Sequence, residues 1–99
     1  MSFADHVNAD ARLIILRELA SQPGGRLNSS LLMRVLEAFG HNRSKEWLES
    51  QLNALDEIGA ITTLPLGTVI IAQLMQAGLD HVERRRVLAG IARPSIVSG

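Results

Sequence analysis

Residues 44–72 read SKEWLESQLNALDEIGAITTLPLGTVIIA, and the fold turns on how this stretch is divided. Ser44 can cap a helix through its side-chain oxygen, and Leu48, Leu52 and Leu55 then recur at helical spacing, flanked by Trp47, Ala54 and Ile58. The opposite face carries Lys45, Glu46, Glu49, Ser50, Asn53 and Glu57. Gly59 is a natural C-terminal stop. Ala60 to Leu64 and Thr68 to Ala72 are rich in β-branched residues, and Pro65-Leu66-Gly67 between them carries turn chemistry. An amphipathic helix therefore feeds a β-hairpin.

Two helices precede it. Asn8 can cap the first, with Asp10 in the first turn, and the apolar positions Leu13, Leu16 and Ala20, widened by Ile14, Ile15 and Leu19, carry it to about Ser21. Pro23-Gly24-Gly25 stops it. Asn28 or Ser29 begins the second, in which Leu32, Val35, Leu36 and Phe39 share one face, and Gly40 ends it. After the hairpin, helical spacing resumes from Leu74 to about Leu88 through Met75, Leu79, Val82 and Arg86, with Gly78 weakening the helix near its start. The expected fold is α+β and mostly α, a three-helix core with a hairpin and a C-terminal helix. It forms one domain over residues 1–90, followed by an extended tail over 91–99.

Composition narrows the function classes. The 99-residue chain is 46% hydrophobic with 3% aromatic residues and no Cys, so disulfides, thiolate metal sites and cysteine nucleophiles are excluded. The uncharged run from Gly59 to Leu79 is broken by Pro65, Gly67, Gln73, Gln76 and Gly78, which argues against a membrane span, and the N-terminus has no signal-peptide pattern. Cytoplasm is the expected compartment. The net charge of zero hides an uneven distribution. Residues 1–43 and 80–99 carry a slight basic excess, whereas residues 44–58 set Lys45 against Glu46, Glu49, Asp56 and Glu57.

Helix, helix, short glycine-containing turn, helix, hairpin and further helix is the order of a winged helix-turn-helix domain, which the chain resembles from about Asp10 to Arg86. The best-matched stretches are Leu48 to Ile61 and Ala72 to Val82, with Met75 where many relatives have threonine. The opening Met1-Ser2-Phe3-Ala4-Asp5, the Ala72 to Arg86 segment and Gly90-Ile91-Ala92-Arg93-Pro94 also look like small proteins of Mu-like phages and prophages. Those proteins are often labelled transcriptional regulators resembling the arsenic-repressor family.

The resemblance implies that the third helix lies in the DNA major groove and the hairpin touches backbone or minor groove. Arg43, Ser44, Lys45, Glu46, Glu49, Ser50 and Asn53 would then face double-stranded DNA. Asn53 has the side chain that pairs with adenine, Arg43 suits guanine or phosphate, and Ser44 suits phosphate. Against this, the helix is acidic and the hairpin has no Lys or Arg, while phosphate contacts supply most non-specific affinity. Arg84, Arg85 and Arg86 form a candidate basic patch; on a helix they fan over about 200° and also suit a helix C-terminus.

Plainer readings apply to the remaining features. Trp47 beside Leu48 and Leu52 reads as core. His6, His41 and His81 lack paired-ligand spacing and read as surface or turn residues, so no metal is expected, and no cofactor. Ser29 and Ser30 read as helix-start caps, and Glu46 with Glu49 as a solvated face. Pro23-Gly24-Gly25 lacks the lysine of a phosphate loop. No catalytic constellation is present, so an enzyme is not expected.

Two functions follow as expectations. The first is a DNA-binding transcriptional regulator of phage or prophage origin. The alternative is a protein-protein adaptor on a winged-helix scaffold that has lost its DNA face, with a phage protein as partner. The aliphatic breadth of the first helix, with Val82 and Leu88 near the other end, further predicts a homodimer through the terminal helices.

Overall fold

The computed structural model describes residues 1–95. Helix α1 spans Phe3–Ser21, a 3-10 turn covers Pro23–Gly25, and strand β1, Arg26–Asn28, leads into α2, Ser29–Ala38. Helix α3, Lys45–Glu57, is followed by strands β2, Ile61–Leu66, and β3, Val69–Leu74, and then by α4, Gln76–Val82. Among the described residues the architecture is α+β and mostly helical, with one antiparallel sheet in the order β1-β3-β2.

Helix α1 begins earlier than its apolar pattern indicates. Ser2 is the N-cap: its hydroxyl accepts the Asp5 N–H at 3.1 Å and the Asp5 carboxylate accepts the Ser2 N–H at 3.0 Å. This reciprocal capping box makes Asn8 and Asp10 interior helical residues and frees their side chains for tertiary bonds. Strand β1 has no counterpart in the sequence reading, because three residues are too few to show alternation. It exists through pairing with β3, where Leu27 opposes Ala72 and Asn28 opposes Ile71. Just beyond that register, the buried Ser29 hydroxyl accepts the Ile70 N–H at 2.9 Å, and Asn28 caps α2 by accepting the Leu31 N–H. The hairpin turn is also displaced by two residues. Pro65 and Leu66 belong to β2, opposite Ile70 and Val69, and Gly67 with φ +62° turns the chain. Pro65 is tolerated because β2 is an edge strand.

Helices α2, α3 and α4 all terminate by the same device. In α2 the Gly40 and His41 N–H groups bond to Glu37 and Leu36 carbonyls, and in α3 those of Gly59 and Ala60 bond to Asp56 and Leu55. In α4, Arg84 and Arg85 donate to His81 and Asp80. These are Schellman caps, which need a left-handed residue just past the helix. Gly40 and Gly59 supply it at φ +93° and +79°, whereas in α4 the position is filled by Arg84 at φ +62°. The helix expected to reach about Leu88 therefore stops at Val82, and Arg84, Arg85 and Arg86 leave it for the following turn and loop.

The core joins Ile15, Leu16 and Leu19 of α1 to Leu32 and Leu36 of α2 and to Leu48, Leu52 and Leu55 of α3, closed by Ala60, Ile61 and Ala72. Each leucine so buried contributes about 1.5–3 kcal/mol relative to exposure. Leu13 and Ile14 are buried in the same chain, and Leu88 and Ile91 pack on the same core. Much of the aliphatic surface that suggested dimerisation through the terminal helices is thus covered within one chain, while Ala20 is exposed and Val82 half-buried. The core also continues past Gly90: Ile91 is buried and the Ala92 N–H donates to Ala9 O at 3.0 Å, so these residues are not a free tail. The last part of that expected tail, residues 96–99, lies outside the described residues.

His81, read from sequence as a surface residue, is fully buried. Its Nδ1 accepts the Leu88 N–H at 3.0 Å, which requires the ring proton on Nε2, and Nε2 donates to Ala92 O at 2.9 Å. One imidazole thereby ties α4 to both ends of the closing segment. Among the described residues no helix is long and apolar enough to cross a membrane.

Candidate interaction face

Helix α3 stands on α1 and α2 with its leucine face down, and its N-terminus is fixed by polar bonds. Ser44 accepts the Trp47 N–H at 3.1 Å. Trp47 is half-buried against the core and its indole N–H donates to Asn8 Oδ1 at 3.0 Å. The buried Gln51 amide also donates to Asn8 Oδ1, at 3.3 Å, and its Oε1 accepts from Arg12 Nε at 2.8 Å. Arg12 then reaches Gly90 O at 3.1 Å. His41 stacks on Trp47 with ring centroids 6.0 Å apart and contacts Asp10 Oδ2 through Nε2 at 2.7 Å. Sequence reasoning missed this α1–α3 network. The signal for it was the four-residue spacing of Asn8 with Arg12 and of Trp47 with Gln51, which places each pair on one helix face.

Most of the residues expected to face a partner do lie together. Arg43, Ser44, Lys45, Glu46, Ser50 and Asn53 are exposed on the outer side of α3 or at its start, and Glu49 is half-buried at the edge of a groove. Several are already engaged. The Arg43 guanidinium lies over the Trp47 ring, 4.9 Å from its centroid, and the Ser50 hydroxyl donates to Trp47 O at 2.6 Å. Arg84, Arg85 and Arg86 belong to a different part of the molecule, beyond α4.

The groove between α2, α3 and the hairpin turn has a volume of about 350 Å³. Met33 and Leu48 line it together with Arg34, Lys45, Glu37 and Glu49, so its cations and carboxylates are equal in number. On one side stand Glu46 and Glu57, exposed on α3. On the other the hairpin offers no cation at all, and Leu64 and Leu66 at its end are 55% and 60% exposed. Asp56 is occupied by the Thr63 hydroxyl, which donates to its Oδ2 at 2.5 Å and fastens β2 to α3. Leu64 and Leu66 alternate with Thr63, which bonds α3, so they stand on the opposite surface of the hairpin, which can present apolar side chains on a two-stranded support.

The chain is 34% identical over 90 residues to the uncharacterized protein gp26 of Escherichia phage Mu, covering 91% of this chain and 93% of that protein. An uncharacterized protein of Haemophilus influenzae is 36% identical over 62 residues, 63% of this chain and 60% of the relative. No protein-family model matches the chain. No solved structure matches it either.

Proposed function

We propose, for a chain that belongs to the family of the phage Mu protein gp26, a winged helix-turn-helix scaffold that docks on a phage protein through its hairpin tip. The scaffold reading is supported by two helices joined through a glycine turn, the second presented outward and followed by a hairpin, with β1 anchoring that hairpin to the helical core. A scaffold of this kind does not fix a function, so the chemistry of the face must decide.

The observation that carries the docking reading is the pair Leu64 and Leu66, which stand out of the fold at the end of an edge strand in a chain segment without Lys or Arg. Exposed leucines on a rigid support gain free energy when a partner's apolar surface covers them; beside phosphate they gain nothing. The neutral groove and the acidic outer face of α3 point the same way, since a polyanion would meet Glu46 and Glu57.

The test is affinity capture from cells carrying the phage that encodes the chain. The wild-type chain recovers a phage-encoded protein, and the Leu64→Asp, Leu66→Asp double variant, folded by circular dichroism, does not. Equal recovery by both chains would reject hairpin docking.

A second reading is favoured by one specific arrangement. Arg43 held over Trp47, with Lys45 beside it and Asn53 exposed two turns further along, is a set of groups suited to a DNA-binding transcriptional regulator. Under that reading duplex affinity falls steeply with added salt, and Arg43→Ala with Asn53→Ala weakens binding by about 1–3 kcal/mol per base contact. Absence of any mobility shift at low salt eliminates it.

A further inference from the structure

The arginines beyond α4 border a pocket of about 200 Å³ whose lining includes Arg84, Arg86, Arg93 and Pro94, with the buried ring of His81 behind them. Among the described residues, no carboxylate lies within 4.0 Å of Arg84, Arg86 or Arg93. The acids nearest in sequence are taken by their neighbour: Arg85 pairs with Glu83 at 3.2 Å and Asp80 at 3.9 Å. Three arginines thus border one concave site, and among the described residues none of them is paired with a carboxylate.

The site is also held in shape. Both ring nitrogens of His81 are committed, one to the Leu88 N–H and one to Ala92 O, so the segment bearing Arg84 and Arg86 and the segment bearing Arg93 are tied to one buried side chain. Arg84 itself occupies the left-handed position that glycine fills after α2 and α3. Glycine would serve the backbone there at less strain, whereas the residue present is an arginine that lines the pocket.

We propose that the cup formed by Arg84, Arg86 and Arg93 binds a phosphate-type oxyanion, carried either by a small phosphorylated ligand or by a nucleic-acid backbone. Arginine matches this chemistry because its planar fork donates two parallel charge-assisted hydrogen bonds to adjacent oxygens. The proposal uses no residue of α3 or the hairpin, so it stands or falls separately from the docking reading above.

The experiment is a titration of the isotope-labelled full chain at low ionic strength, first with sodium pyrophosphate and then with a short DNA single strand and its duplex. Saturable amide shifts between Arg84 and Arg93 are expected. Arg84→Gly, Arg86→Gln and Arg93→Gln each weaken binding about tenfold, the loss of a charge-assisted bond, while Arg85→Gln leaves it nearly unchanged. Arg84→Gly is the decisive variant, since it relieves backbone strain and stays folded while binding falls. Tighter binding of DNA than of pyrophosphate to the same amides identifies a nucleic-acid backbone, and the reverse order a small ligand. Absence of saturable shifts, or an equal loss with Arg85→Gln, overturns the proposal.

Discussion

The backbone of Gly78 packs so closely on the carbonyl oxygen of Ala60 that a β-carbon built on this glycine would collide with that oxygen. The same carbonyl accepts the Met75 N–H at 3.0 Å, so it cannot retreat without breaking the entry into α4. Helix propensity alone says that Ala is better than Gly inside a helix by about 1 kcal/mol. Contact reverses the sign. Gly78→Ala should destabilise the fold by about 1–3 kcal/mol, read as a lower urea midpoint with unchanged slope. A gain in stability would show that α4 can move off Ala60.

Arg84 predicts the opposite outcome at a site of similar appearance. A left-handed residue with a β-carbon costs about 1–2 kcal/mol, and Gly returns part of that gain through the flexibility it adds to the unfolded chain. Arg84→Gly should therefore stabilise by about 0.5–1 kcal/mol, whereas Gly59→Ala, at φ +79° in the equivalent cap of α3, should destabilise by about 1 kcal/mol. Thermal melting of the two variants checks both signs.

These two positions show what was legible in the sequence and what was not. The ends of α2 and α3 could be read because Gly40 and Gly59 advertise the cap that their backbone adopts. The end of α4 could not, because Arg84 adopts the same conformation without the residue that signals it. Helix α3, its cap at Ser44 and its leucine face were legible from periodicity, which depends only on neighbours along the chain. Strand β1 and the burial of His81 were not, since β1 is produced by a partner strand more than forty residues away and His81 by a closing segment, Leu88 to Ala92, that carries no periodic pattern. The face containing Arg43, Lys45 and Asn53 was found for the same local reason as α3. Arg84 and Arg86 were legible as part of a basic run, but their company with Arg93 was not, because the fold, and no motif, brings those residues to one pocket.

His81 accepts one hydrogen bond and donates another, which makes it an exacting polar position in the core. His81→Leu preserves bulk but leaves the Leu88 N–H and the Ala92 carbonyl without their partner, at about 1–3 kcal/mol for each group that stays buried. The expected loss is about 2–4 kcal/mol, with faster hydrogen exchange at the Leu88 amide before any change at Leu52. Uniform exchange across the chain would mean that the closing segment is not a separate cooperative unit.

The capping box at the N-terminus predicts a local response to acid. The Ser2 N–H bonded to the Asp5 carboxylate, followed by the Ser2 hydroxyl, holds the Asp5 pKa below its ordinary value of 3.8. A carboxyl whose pKa is depressed on folding stabilises the folded form once ionised. That stabilisation is complete above the unfolded value and disappears as pH falls from 3.8 through the lower folded value. The first turn of α1 should then fray while the leucine core stays intact. The Asp5 side-chain carbonyl resonance should titrate with a midpoint below 3.8, and the Ser2 and Asp5 amide shifts should follow the same curve. In Asp5→Asn the acid-dependent step at these amides should vanish, because the amide side chain keeps an acceptor for the Ser2 N–H but carries no titrating proton. A midpoint at or above 3.8 would mean that Ser2 does not bond the carboxylate in solution.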